Sequence, residues 1–142
     1  MTFSDLFAVR GIEQRSFADA WGLGALLGEF LNRRGYRLVA RDRSSGRILG
    51  YAFGWRADVE LHVSNVAVET SRRRAGIGGA LLRALIELGR RAGCREAHLE
   101  HRSSNQAARR LYESHGFEAC GLRRRYYRSN GEDAVLMRRD IA

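Results

Sequence analysis

The chain has 142 residues, 44% of them hydrophobic, which suits a single domain spanning 1–142 with a sizeable core. Its formal charge is +9, and all 25 basic residues are arginine, with no lysine and no proline. No stretch stays apolar for 18 residues, and Met1-Thr2-Phe3-Ser4-Asp5 lacks the pattern of a signal peptide. Cys94 and Cys120 have no metal-like spacing. No membrane span, export signal or metal site is therefore expected, and a cytoplasmic chain with reduced thiols is. Guanidinium groups stay charged and fork onto phosphate or carboxylate. They imply an acidic partner: nucleic acid, the ribosome or a polyanionic cofactor.

Taken in order, Phe3 to Val9 is an apolar run that predicts a first strand. Ile12 to Trp21 and Leu23 to Asn32 predict two helices parted near Gly22, the second ended by Gly35. Tyr36 to Arg41 and Ile48 to Trp55 predict a hairpin turned by Ser44-Ser45-Gly46, and Val59 to Val68 a third strand. A helix from about Gly76 to Arg91 follows, with Ile77, Leu81, Leu85 and Leu88 near helical spacing. Glu96 to His101 reads as a strand, and Ser103 or Ser104 as the cap of a helix running to about Ser114 and broken by Gly116. Phe117 to Tyr127 and Ala134 to Arg138 close the chain as strands turned by Ser129-Asn130-Gly131. No internal repeat, low-complexity tract or linker interrupts this order. It is mixed α/β, with one parallel crossover through the glycine-started helix.

The stretch from Arg72 to Leu82 places a basic, glycine-containing turn between a strand and a helix N-terminus. The first N–H groups of a helix have no internal partner, and the helix dipole adds positive charge there. Gly76, Gly78 and Gly79 lack Cβ atoms, so a phosphate can approach the backbone. The Gly-Lys-Ser/Thr ending of a Walker loop is missing, and Gly76-x-Gly78 has no third glycine for a dinucleotide fingerprint.

A second segment, Asn105-x-x-Ala108-x-x-x-Tyr112-x-x-x-Gly116-Phe117, begins 27 residues after Gly78. Ala108, Leu111 and Tyr112 share one helix face. By themselves, Tyr112 suits core packing and Asn105 a helix start. Together with Arg73-x-x-Gly76-x-Gly78 upstream, the segment resembles the two hallmarks of the GNAT superfamily of acetyl-CoA-dependent N-acetyltransferases. The resemblance covers nearly the whole chain. Within the superfamily the chain is most similar to the RimI-type ribosomal-protein-alanine N-acetyltransferases and to the archaeal and eukaryotic subunits that acetylate protein N-termini. Three features carry that match: Ile12-Glu13-Gln14-Arg15 with Trp21 behind it, Leu99-Glu100 leading to Ser104-Asn105, and the ending from Tyr126 to Ala134.

The resemblance implies a mixed, mostly antiparallel twisted sheet of six to seven strands flanked by about four helices. It also implies roles. Val66, Ala67 and Val68 would line acetyl-CoA on a splayed strand, with the Val68 N–H polarising the thioester. Arg73, Arg74, Ala75, Gly76, Ile77, Gly78 and Gly79 would cradle the pyrophosphate, and Asn105 would bind the pantetheine arm. Glu100 would be the general base and Tyr112 the general acid. The acceptor, a protein N-terminal α-amine, would enter between the Gly22 region and the hairpin around Asn130.

The chemistry of these side chains suits those roles. An α-amine has a pKa of about 7.7–8.0 and loses its proton readily near neutrality, whereas a lysine amine near 10.4 costs more than about 3 kcal/mol. A carboxylate such as Glu100 suits the first task, and a phenol near 10 can protonate a thiolate near 8.5. His98 shares the face of Glu100 by alternation. His101 stands where these enzymes usually carry an apolar residue and is expected to be packed and hydrogen-bonded. His62 also replaces an apolar position and can face either way. Ala20 stands where a proline is usual. Cys94 and Cys120 are expected to be packing residues, and Arg123-Arg124-Arg125 a solvated face. A monomer or weak homodimer is expected, with no metal and no required nucleic-acid contact. Two competitors remain: a GNAT enzyme acetylating a polyamine or aminoglycoside, and a module that holds CoA or the ribosome without turnover.

Overall fold

The computed structural model describes residues 1–17, 20–73, 75–127 and 130–142. Among these residues four α-helices flank one six-stranded sheet, as expected. The helices are α1 (Leu6–Ser16), α2 (Leu23–Leu31), α3 (Ile77–Arg91) and α4 (Gln106–Ser114). The strands are β1 (Gly35–Arg41), β2 (Ile48–Ala57), β3 (Glu60–Val68), β4 (Glu96–Arg102), β5 (Glu118–Arg123) and β6 (Ala134–Asp140). Their order across the sheet is β1-β2-β3-β4-β6-β5. Every neighbouring pair is antiparallel except β3 and β4, which α3 joins by the expected parallel crossover. No helix among the described residues is long and apolar enough to cross a membrane.

The sheet divides the core into two layers. On one face, Leu81, Leu82, Leu85 and Ile86 of α3 and Tyr112 of α4 pack on Leu61, Val63, Ala97, Leu99, Val135 and Met137. On the other, Val9 and Ile12 of α1 and Leu26 of α2 pack on Tyr51, Phe53 and Ala67. Burying such apolar faces on both sides is what makes the sheet stable.

Several elements differ from the sequence reading. Phe3 to Val9 is not a strand. A single 3-10 turn, Phe3–Asp5, runs into α1, and Thr2 N–H donates to Asp5 Oδ2 at 2.7 Å. Leu6, Val9 and Ile12 are buried at helical spacing while Phe7 is 73% exposed, which is the signature of one helix face. The helix expected over Ile12 to Trp21 therefore starts earlier and stops at Ser16. Gly35 does not cap α2, which ends at Leu31; it opens β1 and donates its N–H to Asn32 O at 3.0 Å. Neither Ser103 nor Ser104 caps α4; Asn105 does, its Oδ1 accepting the Ala108 N–H at 3.1 Å. The strand expected to reach Tyr127 stops at Arg123, and Arg125 turns into the left-handed region at φ 51°. Cys94 is buried as expected, but Cys120 is exposed. It sits in β5, an edge strand exposed throughout, at a bulge that leaves it out of register with β6. Of the turn expected at Ser129-Asn130-Gly131, Ser129 lies outside the described residues.

Candidate active site

The parallel pairing of β3 with β4 covers only Glu60 to Val63 against Glu96 to Leu99. Beyond that point the two strands separate. The cause is local: opposite β2, the register steps from Gly54↔Val63 to Phe53↔Asn65, so Ser64 is an extra residue that bends β3. Past this bulge β3 continues as Asn65 to Val68 and β4 as Glu100 to Arg102. Two cavities open around the splay.

The larger cavity, ≈ 570 Å³, runs between β3, the N-terminus of α3 and α4. Of the residues expected to bind a cofactor, Val66, Ala67, Val68, Arg73, Gly76, Ile77, Gly78, Gly79 and Asn105 line it. Ala75 is exposed and does not, and Arg74 lies outside the described residues. Gly76 caps α3 at φ 79°, a left-handed conformation that disfavours any side chain with a Cβ. The first bond of the helix is Ala80 N–H to Gly76 O at 3.0 Å, so the N–H groups of Ile77, Gly78 and Gly79 precede the helical ladder. Gly79 is packed rather than open, since a Cβ there would lie 3.1 Å from the His115 ring. The Glu69 N–H donates to Leu49 O at 2.7 Å. By the alternation of an antiparallel ladder, Val66 and Val68 then turn their own N–H and C=O groups away from β2 into the splay. The Val68 carbonyl accepts from Arg73 Nε at 3.3 Å, in keeping with that direction.

The smaller cavity, ≈ 140 Å³, lies on the other side of the splay, and Glu100, Tyr112, Tyr127, Trp21 and Phe17 contribute to its walls. Phe17, Val66, Asn105, Ala108 and Tyr112 belong to both cavities, so they meet at the mouth of the splay. Glu100 accepts a 2.9 Å hydrogen bond from His62. That bond holds its carboxyl below the usual glutamate range against the opposing effect of burial, with help from the nearby charges of His62, Arg123 and His98. Tyr112 is buried, which pushes its phenol up to about 12. Asn105 commits its Oδ1 to the cap of α4, leaving the side-chain NH2 as its donor toward the cavities. His101 is packed and hydrogen-bonded as expected: its Nδ1 lies 2.7 Å from Arg102 O and its ring 6.1 Å from Tyr112.

Two polar groups in this region were not assigned a role from sequence. Glu13, 1% exposed, reaches across from α1. Its Oε1 accepts from the Tyr51 hydroxyl at 2.5 Å and from Asn65, and its Oε2 from the Trp21 N–H at 3.3 Å. Burial raises its carboxyl, and those three donors oppose the shift. Its place one turn after Val9 and beside Ile12, on the apolar face of α1, is the signal that marks it. On the opposite wall the hairpin between β5 and β6 is tied down by Glu132, whose Oε1 accepts the Ser104 N–H at 2.7 Å; hydrogen bonding from the Ser104 side chain, then from its N–H, brings the carboxyl down to about 2. Arg102 lies 3.5 Å from Glu132 and 4.1 Å over the Tyr127 ring.

A model of the Acetyltransferase (GNAT) family matches residues 6–117. The chain belongs to the GNAT acetyltransferase family. As a member it is an acetyl-CoA-dependent N-acetyltransferase. It is 39% identical over 126 residues to N-alpha-acetyltransferase RimI of Mycobacterium tuberculosis, covering 86% of this chain and 77% of that one. It is 36% identical over 137 residues to the ribosomal protein bS18-alanine N-acetyltransferase of Escherichia coli, covering 94% and 90%. The crystal structure of an Escherichia coli enzyme of that activity superposes with a TM-score of 0.90 at 33% identity, over 100% of this chain and 91% of that one. The GNAT sheet, its splay and its flanking helices are thus those of a RimI-type fold.

Proposed function

We propose that this acetyltransferase transfers acetyl from acetyl-CoA to the N-terminal α-amine of a protein, a ribosomal protein in particular, with both substrates bound at once and the chain 1–142 acting as one domain. The observation that carries the mechanism is the meeting of two cavities at Tyr112, with Glu100 on the wall of the smaller. The relatives named for acetylating an alanine of a ribosomal protein support the acceptor.

The larger cavity fits the cofactor. The leading N–H groups of α3 with Arg73 suit a diphosphate, and the Val66 and Val68 backbone offers donors and acceptors to an amide-bearing arm. Acetyl-CoA, when bound, supplies the thioester. The Val68 N–H would donate to its carbonyl oxygen and draw electron density from the carbon. The amine attacks that carbon, a C–N bond forms and the C–S bond breaks. Glu100 takes the proton the amine releases, and Tyr112 gives its own to the leaving sulfur. A phenol near 12 keeps its hydrogen at neutral pH and so stands as a hydrogen-bond donor to the sulfur while the C–S bond breaks. At that pH roughly a tenth of α-amines are neutral against well under a thousandth of lysine amines, which favours N-termini.

The test is turnover of acetyl-CoA on short peptides that vary in their first two residues, with lysine peptides and spermidine as controls. Turnover confined to a few N-termini and reduced at least about 100-fold in Glu100→Gln and Tyr112→Phe is expected. Turnover on spermidine alone, or full activity in both variants, refutes the assignment.

A further inference from the structure

His62 and Glu100 come from different strands and stand 38 positions apart, yet Nε2 lies 2.9 Å from Oε2. The sheet brings them together. His62 is the register partner of His98 on the parallel strand, and Glu100 is the next residue of β4 on the same face. That contact lies at the last paired turn before β3 bends away, so the carboxylate is anchored where the cavity begins. The imidazole is itself held: the Trp55 ring stands 5.2 Å away on β2, centroid to centroid. Its Nδ1 is buried with no hydrogen-bond partner among the described residues. A buried N–H without a partner is costlier than a buried lone pair, so the geometry places a ring hydrogen on Nε2, facing Oε2. Nε2–H then donates to Oε2 and leaves Oε1 as the oxygen that can face the acceptor.

We propose that His62 is the positioning residue of this active site, fixing one oxygen of Glu100 by donating Nε2–H so that the other is presented to the attacking amine as a carboxylate. The inference rests on the reading of Glu100 as the base. The charged and titratable groups around the pair are His98 on β4, Glu29 on α2 with Arg37 of β1 near it, Arg123 on β5, and the Tyr127 phenol. Of these His98 and Arg123 favour the ionised carboxylate along with His62, but the His62 hydrogen bond is the largest influence. Removing His62 leaves Glu100 half-buried without its main partner, so its carboxyl rises.

The experiment compares His62→Leu, His62→Gln and Glu100→Gln in the full chain, with acetyl-CoA and a peptide acceptor across pH. His62→Leu is expected to lower kcat about 10- to 100-fold, a part of what a correctly placed base contributes, with KM for acetyl-CoA within about twofold because the cofactor cavity is untouched. His62→Gln, whose NH2 can reach the same oxygen, is expected to recover most of that loss. On the acid side, log(kcat/KM) falls with slope one where the amine protonates and slope two where Glu100 also does. The second break should move to higher pH in His62→Leu. Unchanged kcat and an unmoved break in His62→Leu, with Glu100→Gln inactive, overturn the positioning role and leave the base in place. Full activity in Glu100→Gln removes the base and the positioning role together. Equal losses in His62→Leu and His62→Gln, with weakened acetyl-CoA binding, show a merely structural histidine and also overturn it.

Discussion

Replacing Tyr51 by phenylalanine deletes one oxygen from the centre of the protein. Tyr51 is fully buried, and its ring packs on Phe53 at 5.3 Å, a contact the substitution keeps. What is lost is the 2.5 Å bond to Glu13 and the 3.3 Å approach of Asn65. A hydrogen bond to a charged group contributes about 1.5–3 kcal/mol, and one between neutral groups about 1 kcal/mol. Because burial raises the Glu13 carboxyl, folding favours its protonated form. This group's contribution is most favourable at low pH and declines as pH rises from the unfolded glutamate value through the higher folded one. Tyr51→Phe should therefore cost about 1 kcal/mol at pH 4, where the raised carboxyl is neutral, and more as pH rises toward 8 and Glu13 ionises, up to about 1.5–3 kcal/mol against the carboxylate. Urea unfolding of the wild type, Tyr51→Phe, Glu13→Gln and the double variant at both pH values measures this. In the Glu13→Gln background the pH dependence of the Tyr51 step should vanish. A Tyr51→Phe cost that is the same at pH 4 and pH 8, or that simply adds to that of Glu13→Gln, refutes the coupling.

Gly76→Ala places a Cβ on a residue at φ 79° with no neighbouring atom within 4 Å, so its penalty is conformational rather than steric. A loss of about 1–2 kcal/mol in urea unfolding and a raised KM for acetyl-CoA are expected. Asp5 accepts the Thr2 N–H at 2.7 Å and Arg41 Nη2 at 2.9 and 3.0 Å, and these donors, the Thr2 N–H foremost, hold its carboxyl below the usual range. Its stabilisation is present above the ordinary aspartate pKa and lost as pH falls through the lower folded value. The stability gap between wild type and Asp5→Asn should thus close on acidification, as read from denaturant midpoints at stepped pH.

How much of this was legible depends on the range of the interactions involved. The α3 helix, the β1–β2 hairpin and the β3–α3–β4 crossover follow from local periodicity and turn residues. Phe3 to Val9 reads as a strand and folds as a turn and helix because a short apolar run looks alike in a strand and in one helix face until the other face is known to be solvent. Asn105 illustrates a mixed case: its place at a helix start was visible, but that it, and not Ser103 or Ser104, takes the cap depended on how the chain leaves β4. Cys120 reads as a packing residue, yet it is exposed, because an apolar strand says nothing about whether it lies at an edge.

By itself, the sequence determined the two motifs, their order and their spacing, because the phosphate-type turn and the Asn105-to-Phe117 segment each act through residues within a few turns of one another. Only the tertiary structure decided which polar groups surround the splay. Glu13 meets Tyr51 and Asn65 across separations of 38 and 52 residues, and His62 meets Glu100 across 38. Such pairs exist because a bulge bends β3 and a sheet aligns strands from distant parts of the chain, and neither leaves a periodic mark in the order of the residues.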